Sequence, residues 1–257
     1  YLTVYHFDIY EDYTGTVQWR WRNLGGVVNM RNNTITVPFD TFGYYQVMYM
    51  DKSFDDVTAH PWARNDLDTL YAKGIMLNKN DSTFVPNDPI TRGEFATLLV
   101  KIFDLPLQYS EVPTFSDVPR VNLLTRLYDY KYIETAARAG IVRGAAQGRF
   151  LPDNAITRQD AALMIARAAN LKMTPDYDID KVRSNLQKQF TDANLIDIYA
   201  MPAVEAVVKA GLIEGKENLL QPGQKKATLR FDPLESFTRA EAATVAMRVL
   251  RQQKKVP

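Results

Sequence analysis

Thr91-Arg92-Gly93-Glu94, Thr157-Arg158-Gln159-Asp160 and Thr238-Arg239-Ala240-Glu241 are three versions of one tetrapeptide. Each stands five residues beyond the proline of a Phe-x-Pro: Pro86 before Thr91, Pro152 before Thr157 and Pro233 before Thr238. Each opens a run whose apolar residues recur at helical spacing. Three copies in one local frame define an internal repeat, and a repeat constrains fold and function together.

The frame extends outward on both sides. Downstream, the stripes are Phe95, Leu98, Leu99 and Ile102; Ala161, Met164, Ile165 and Ala168; and Ala242, Val245, Ala246 and Val249. This three-four spacing predicts a second, packed helix in every copy. Upstream lies a first helix, opened by an aromatic residue and closed by glycine. Trp62 to Gly74, Tyr128 to Gly140 and Tyr199 to Gly211 are each twelve residues apart. Glycine takes the left-handed position that ends a helix without the strain a Cβ brings. Each copy begins at Phe54-Asp55-Asp56-Val57, Phe115-Ser116-Asp117-Val118 or Phe190-Thr191-Asp192-Ala193. The repeats are therefore read as residues 54–108, 115–173 and 190–251. The linker before the third carries a charged, helix-like turn around Asp180-Lys181-Val182-Arg183. One copy is too small for a core of its own, so the three are expected to share one.

Residues 1–52 read differently. Val17, Trp19 and Trp21 alternate with Gln18 and Arg20, Ile35 and Val37 with Thr34 and Thr36, and Tyr45, Val47 and Tyr49 with Gln46 and Met48. Period-two alternation broken by glycine and asparagine predicts about four half-buried strands. This is a small β unit, either docked on the remainder or the end of a larger Ig-like or partial-sandwich domain. Trp19, Trp21 and the tyrosines are read as core and sheet-face packing, with a sugar-binding aromatic platform as the alternative. The fold class is mainly α, with this β unit in front.

Composition narrows the function. In 257 residues, 46% are hydrophobic and 24% charged, and 31 basic residues face 30 acidic ones for a net charge of +1. That balance gives no support to a nucleic-acid or membrane-surface binder. The absence of cysteine excludes disulfide frameworks and thiolate metal sites and suits an exported bacterial protein. No apolar run reaches the length of a membrane span. The chain starts at Tyr1 in strand-like sequence and is read as a piece of a longer precursor. With two histidines, no cysteine nucleophile and no recognisable acid–base carboxylate pair, the expectation is no catalysis, no cofactor and no metal.

In the tetrapeptide, threonine and the acid three residues later form a capping box, made by Thr91 with Glu94, Thr157 with Asp160 and Thr238 with Glu241. Capping leaves the arginine unexplained. Arg92, Arg158 and Arg239 occupy the first helical position, where the helix dipole mildly disfavours a cation. Two readings stand. Each arginine pairs with the aspartate of a Phe-x-Asp (Asp56, Asp117 or Asp192) or a neighbouring copy, or it joins free helix N–H groups in holding a carboxylate or phosphate.

The ordered landmarks Phe-x-Asp, aromatic, glycine, Phe-x-Pro and Thr-Arg-x-Glu/Asp resemble the S-layer homology repeat, most fully in Trp62-Ala63, Gly74-Ile75, Phe84-Val85-Pro86 and Ile90-Thr91-Arg92-Gly93-Glu94. The resemblance implies a pseudo-threefold, three-pronged spindle whose grooves bind a peptidoglycan-linked secondary cell wall polysaccharide. That polymer typically carries pyruvylated N-acetylmannosamine. On this view Arg92, Arg158 and Arg239 meet the acidic sugar, Trp62, Tyr128 and Tyr199 supply ring faces, and Asp56, Asp117 and Asp192 orient the arginines. Arg92→Ala or Arg239→Ala is then expected to weaken wall binding with the fold intact. The implied location is extracellular, at the wall or surface layer, with other surface-protein subunits as further partners. The alternatives are the attachment tail of a polysaccharide-degrading enzyme and a lattice-assembly module.

The copies depart from the pattern unequally. The second has five extra residues between Phe115 and Tyr128. The third has ten between Gly211 and Phe231, including Lys216, Lys225, Lys226 and Arg230. That insertion is expected to cover its groove or to add cationic contacts.

Overall fold

The computed structural model describes residues 1–11, 15–37, 39, 41–58, 60–80, 82–110, 112–120, 127–145, 148–175 and 178–256. The second copy's five extra residues fall in a stretch that includes 121–126, outside the described residues. Helix accounts for about 33% and strand for about 17%, so the fold is mixed α and β, not mainly α. The sheet of the first fifty residues and short bridges between the repeats supply the difference. The chain divides into two compact units: residues 1–88, 119–130 and 239–257, and residues 89–118 and 131–238.

The first unit opens with β1 (Leu2–Glu11), the centre of an antiparallel sheet between β2 (Val17–Gly25) and β5 (Tyr45–Tyr49). A hairpin of β3 (Val27–Asn29) and β4 (Thr34–Thr36) branches off at Gly26, giving five strands where alternation predicted four. The sheet docks on the end of the first repeat helix, α1 (Arg64–Ala72). The Asn23 amide donates to Ala72 O at 2.9 Å and Lys73 Nζ to Gly26 O at 2.6 Å. Gly74 follows α1 with φ 64°, and a Cβ there would stand 2.7 Å from Asn23 O. Glycine is thus required for conformation and for close approach alike. Trp19 is 69% and Trp21 41% exposed, so neither is a core residue; both pack on the sheet face, with ring centroids 6.0 and 5.1 Å from that of Phe7. The same unit packs α1 against α7 (Arg239–Gln252), with Arg251 Nη2 2.8 Å from Asp66 Oδ1.

The second unit holds the hub. Ile90 N donates to Phe237 O, Ile156 N to Ile90 O and Phe237 N to Ile156 O, at 2.9, 3.1 and 2.9 Å. Each is the residue just before a Thr-Arg, and all three side chains are buried. This closed ring of hydrogen bonds sets Thr91, Thr157 and Thr238 around one point. From it run α2 (Arg92–Ile102) and α4 (Arg158–Ala168). Thr91 and Thr157 accept the N–H of Glu94 and Asp160, both at 3.2 Å, as the capping pattern predicts. The unit continues with α3 (Tyr130–Arg138), α5 (Ile179–Gln187) and α6 (Met201–Lys209). The linker turn predicted around Asp180 is α5, which buries Val182 and Leu186 and packs on α6.

The second helix of repeat two (α4) lies on the first helix of repeat three (α6), and that of repeat three (α7) on the first of repeat one (α1).

Within each repeat an aspartate clasps the Phe-x-Pro. Asp56 accepts from the N–H of Phe84 (3.0 Å) and Val85 (2.6 Å). Asp117 accepts from Phe150 and Leu151 (both 2.8 Å), and Asp192 from Phe231 and Asp232 (both 2.7 Å). The middle residue of each triplet is left-handed: Val85, Leu151 and Asp232 have φ of 55°, 59° and 56°. That conformation costs a residue with a Cβ roughly 1–2 kcal/mol, and the two hydrogen bonds to a carboxylate hold it.

For Asp117, burial alone would raise the pKa. The N–H donors of Phe150 and Leu151, with Arg149, outweigh burial and hold it below its ordinary 3.8. A lowered folded pKa gives stability that is complete above the unfolded value and is lost as pH falls through the folded one. Asp117→Asn is therefore expected to lower the melting temperature at pH 7 and to flatten its decline below about pH 4. Thermal unfolding followed by circular dichroism from pH 7 to 2 checks this, and an unchanged acid limb would rule the clasp out as its source.

Candidate functional site

Each tetrapeptide arginine reaches into the next repeat in cyclic order. Arg92 Nε donates to Phe150 O at 3.0 Å, Arg158 Nε to Phe231 O at 2.7 Å and Arg239 Nε to Phe84 O at 3.0 Å. In each case the acceptor is the phenylalanine of a Phe-x-Pro. The far nitrogen of each guanidinium donates to a second carbonyl, three residues past a helix-ending glycine: Arg143 O, Glu214 O and Leu77 O respectively. The guanidinium carbons also lie 5.0, 5.2 and 4.6 Å from the ring centroids of the same phenylalanines.

The helix N–H groups are taken too. Arg92 N and Gly93 N donate to Asn154 O and Pro152 O, Arg158 N and Gln159 N to Glu235 O and Pro233 O, and Arg239 N and Ala240 N to Asp88 O and Pro86 O. The expectation of free helix N–H groups for an anion is thus corrected. They are the backbone half of the joint between successive repeats.

Burial sorts the arginines. Arg158 is 2% and Arg239 1% exposed. The Arg92 side chain keeps 15% of its surface, and its Nη1 stands 3.9 Å from Asp160 Oδ2, beyond hydrogen-bond length. Asp56, Asp117 and Asp192 do not orient the arginines through a hydrogen bond; they hold the Phe-x-Pro backbone. Among the aromatic positions, Trp62 is 60% and Tyr199 53% exposed, whereas Tyr128 is 6% exposed and offers no ring face. Thr238 stands immediately before α7, and Glu241 lies in its first turn.

One exposed cluster results, all within the second unit. Tyr199, at the start of repeat three, donates its hydroxyl to Asp160 Oδ1 at 2.8 Å. Gln159 is buried beneath, and its amide donates to Asp197 Oδ2 at 2.6 Å and to Tyr199 Oη at 3.3 Å. The Gln159 side-chain carbonyl accepts the Asp197 N–H at 3.0 Å. Burial first, then the bond to Asp160 and the charges of Asp160 and Asp197, push the Tyr199 hydroxyl far above the usual phenol range, so it stays a donor. Burial lowers the Arg92 pKa, while Asp160, Tyr199 and Asp117 oppose that shift; the group remains a cation. An exposed ring, two carboxylates and a guanidinium with donor capacity on Nη1 can together take a sugar's apolar face, its hydroxyls and an anionic substituent. Gln159 and Asp197 were not foreseen; the one sequence signal for Asp197 is its place two residues before the aromatic landmark.

Among the described residues no helix is long and apolar enough to cross a membrane.

The family model for the S-layer homology domain matches residues 53–96, 126–162 and 189–243. The chain belongs to the S-layer homology domain family. It is similar to S-layer protein EA1 of Bacillus anthracis, with 31% identity over 192 residues covering 75% of this chain and 19% of that protein. It is also similar to an amylopullulanase of Thermoanaerobacterium thermosulfurigenes (27% over 234 residues, 91% of this chain, 11% of that protein) and an endoglucanase of Bacillus sp. strain KSM-635 (28% over 200 residues, 77% and 18%). The chain thus spans less than a fifth of the length of each. Domains of this family bind cell-wall polysaccharide in general, and membership places the chain outside the cell, at the bacterial surface.

The buried arginines change the expected outcome of substitution. Each charged hydrogen bond contributes about 1.5–3 kcal/mol, so Arg158→Ala and Arg239→Ala, which each remove at least two and leave buried carbonyls unpaired, are expected to cost about 3 kcal/mol or more. Arg92→Ala, at the wetter joint, is expected to cost about half as much. Urea unfolding of the three variants checks the order, and equal costs would mean that burial does not set it. Arg239→Ala is accordingly no longer expected to leave the fold intact.

Proposed function

We propose that this chain anchors the protein that carries it, non-covalently, by binding an acidic secondary cell wall polysaccharide. The Tyr199 cluster is the contact this reading rests on. The single observation that carries it is the exposed Tyr199 ring, held by Asp160 beside a guanidinium with an unfilled nitrogen. A sugar ring lies on Tyr199, its hydroxyls donate to Asp160 and Asp197, and an anionic substituent such as a pyruvyl carboxylate reaches Arg92 Nη1. Trp62, exposed at the equivalent place in repeat one, supplies a second ring. Several modest contacts to one polymer gain by effective concentration, so each one can be weak.

Similarity to an S-layer protein and to polysaccharide-degrading enzymes alike supports an attachment module independent of its cargo, with chemistry, where there is any, done elsewhere in the protein.

Tyr199→Ala is expected to weaken binding to purified cell walls roughly tenfold, equivalent to about 1.4 kcal/mol, with the circular dichroism spectrum unchanged. Walls stripped of their non-peptidoglycan polymer should retain no chain. Equal retention on stripped walls would overturn the polysaccharide reading.

A further inference from the structure

The ten-residue insertion of repeat three forms an arm. It leaves the repeat two–three joint directly: Glu214 O accepts from Arg158, and β6 (Lys216–Glu217) starts two residues later and pairs with β7 (Leu229–Arg230). Gly215 lets it pass, since a Cβ there would stand 2.5 Å from the Phe190 ring. Thr191 N ties the arm down by donating to Leu229 O at 2.9 Å, and Asn218 N closes it by donating to Thr228 O at 2.8 Å.

Between the arm and Thr191 lies an open cavity of about 530 Å³, lined by Thr191, Asn218, Leu219, Gln221, Thr228 and Arg230. Its polar groups are set in advance. The Asn218 amide donates to Thr191 Oγ1 (3.0 Å) and Thr228 Oγ1 (2.9 Å), and Arg230 is held by Glu217 O and by Asp232 at 3.0 Å. A second cavity of about 460 Å³ adjoins it and is lined in part by Lys225 and Lys226. Both volumes fall in the range of small-ligand sites.

Charge singles the arm out. Residues 216–232 hold Lys216, Lys225, Lys226 and Arg230 against Glu217 and Asp232, a net +2, in a chain whose total is +1. Asp232 is shared by Lys216 and Arg230. Lys225 and Lys226 are exposed and have no ion-pair partner among the described residues. Leu219, 86% exposed, adds an apolar surface at the cavity edge. Hydroxyls, an amide, a guanidinium and two unpaired ammonium groups beside one aliphatic face match a sugar that carries negative charge.

We propose that this arm is a second contact for the wall polymer and takes an anionic sugar unit in the cavity between Thr191 and Arg230. It rests on the reading of the chain as a polysaccharide anchor and adds a site outside the Tyr199 cluster. The anion is a carboxylate or a phosphate, and the probes separate the two: methyl glucuronoside, glucose 6-phosphate and uncharged methyl glucoside, each titrated into the 257-residue chain with amide shifts followed by NMR. Shifts at Thr191, Asn218, Thr228 and Arg230 with either charged probe, and not with methyl glucoside, are expected. K225Q/K226Q should weaken those shifts about fivefold, K225R/K226R should restore them, and 1 M NaCl, with a Debye length of about 3 Å, should erase the difference. No shift at the arm with any probe, or equal shifts with the neutral sugar, would overturn the proposal. Responses at Tyr199 without the arm sink the arm alone, and responses at the arm without Tyr199 sink the Tyr199 contact alone.

Discussion

The structure depends on a guanidinium that bridges two backbone carbonyls of the next repeat. Dipole arguments set a cation at a helix N-terminus against stability by about 0.3–1 kcal/mol. Two charged hydrogen bonds, at about 1.5–3 kcal/mol each, and a phenylalanine face near 5 Å outweigh that penalty. The geometry also selects the residue. Two carbonyls from separate loops need donors fixed in a plane, which arginine's fork provides and a lysine ammonium does not. Because Arg92, Arg158 and Arg239 each reach forward by one repeat, no repeat completes its own packing, which is why a unit too small for a core of its own is stable in this company.

The clasp and the bridge are parts of one device. An aspartate at the start of each repeat binds the two N–H groups of its Phe-x-Pro, and this holds the middle residue left-handed. The turn so fixed keeps the phenylalanine carbonyl available to the arriving arginine. Val85 makes the point most sharply. A β-branched residue at φ 55° is a genuine outlier, tolerated because Asp56 satisfies its N–H and that of Phe84. Aspartate and arginine never need to touch. They act on opposite ends of the same peptide segment.

Much of this is legible in the sequence. The five-residue interval from proline to threonine, the twelve-residue interval from aromatic to glycine and the threonine caps all came from local rules that act within a few residues. What the sequence hid was non-local. Nothing near Arg158 announces that its acceptor lies at Phe231, or that its helix N–H groups are spent on Pro233 and Glu235. Of the two readings of the arginine, a neighbouring copy or a ligand, the first holds, with the neighbouring repeat's carbonyls as the partner. Strand alternation misled for a related reason. Trp19 and Trp21 alternate as half-buried residues do, yet period two reports a face and cannot say whether anything covers it.

The arginine, being structural in all three repeats, cannot by itself decide which polymer is held. On the polysaccharide reading proposed above, discrimination falls on positions that the bridge leaves free to differ. These are the exposed aromatics at the helix start (Trp62 and Tyr199) and the acid of the tetrapeptide (glutamate twice, aspartate once). In repeat two the shorter Asp160 accepts from Tyr199 and approaches Arg92. Substitution there alters the surface without touching either carbonyl that Arg158 or Arg239 holds. A repeat built this way can change its exposed residues one joint at a time, because the arginine bonds that join the repeats go to backbone carbonyls. The arm of repeat three is one such change, and it begins two residues past a carbonyl that the bridge holds in place.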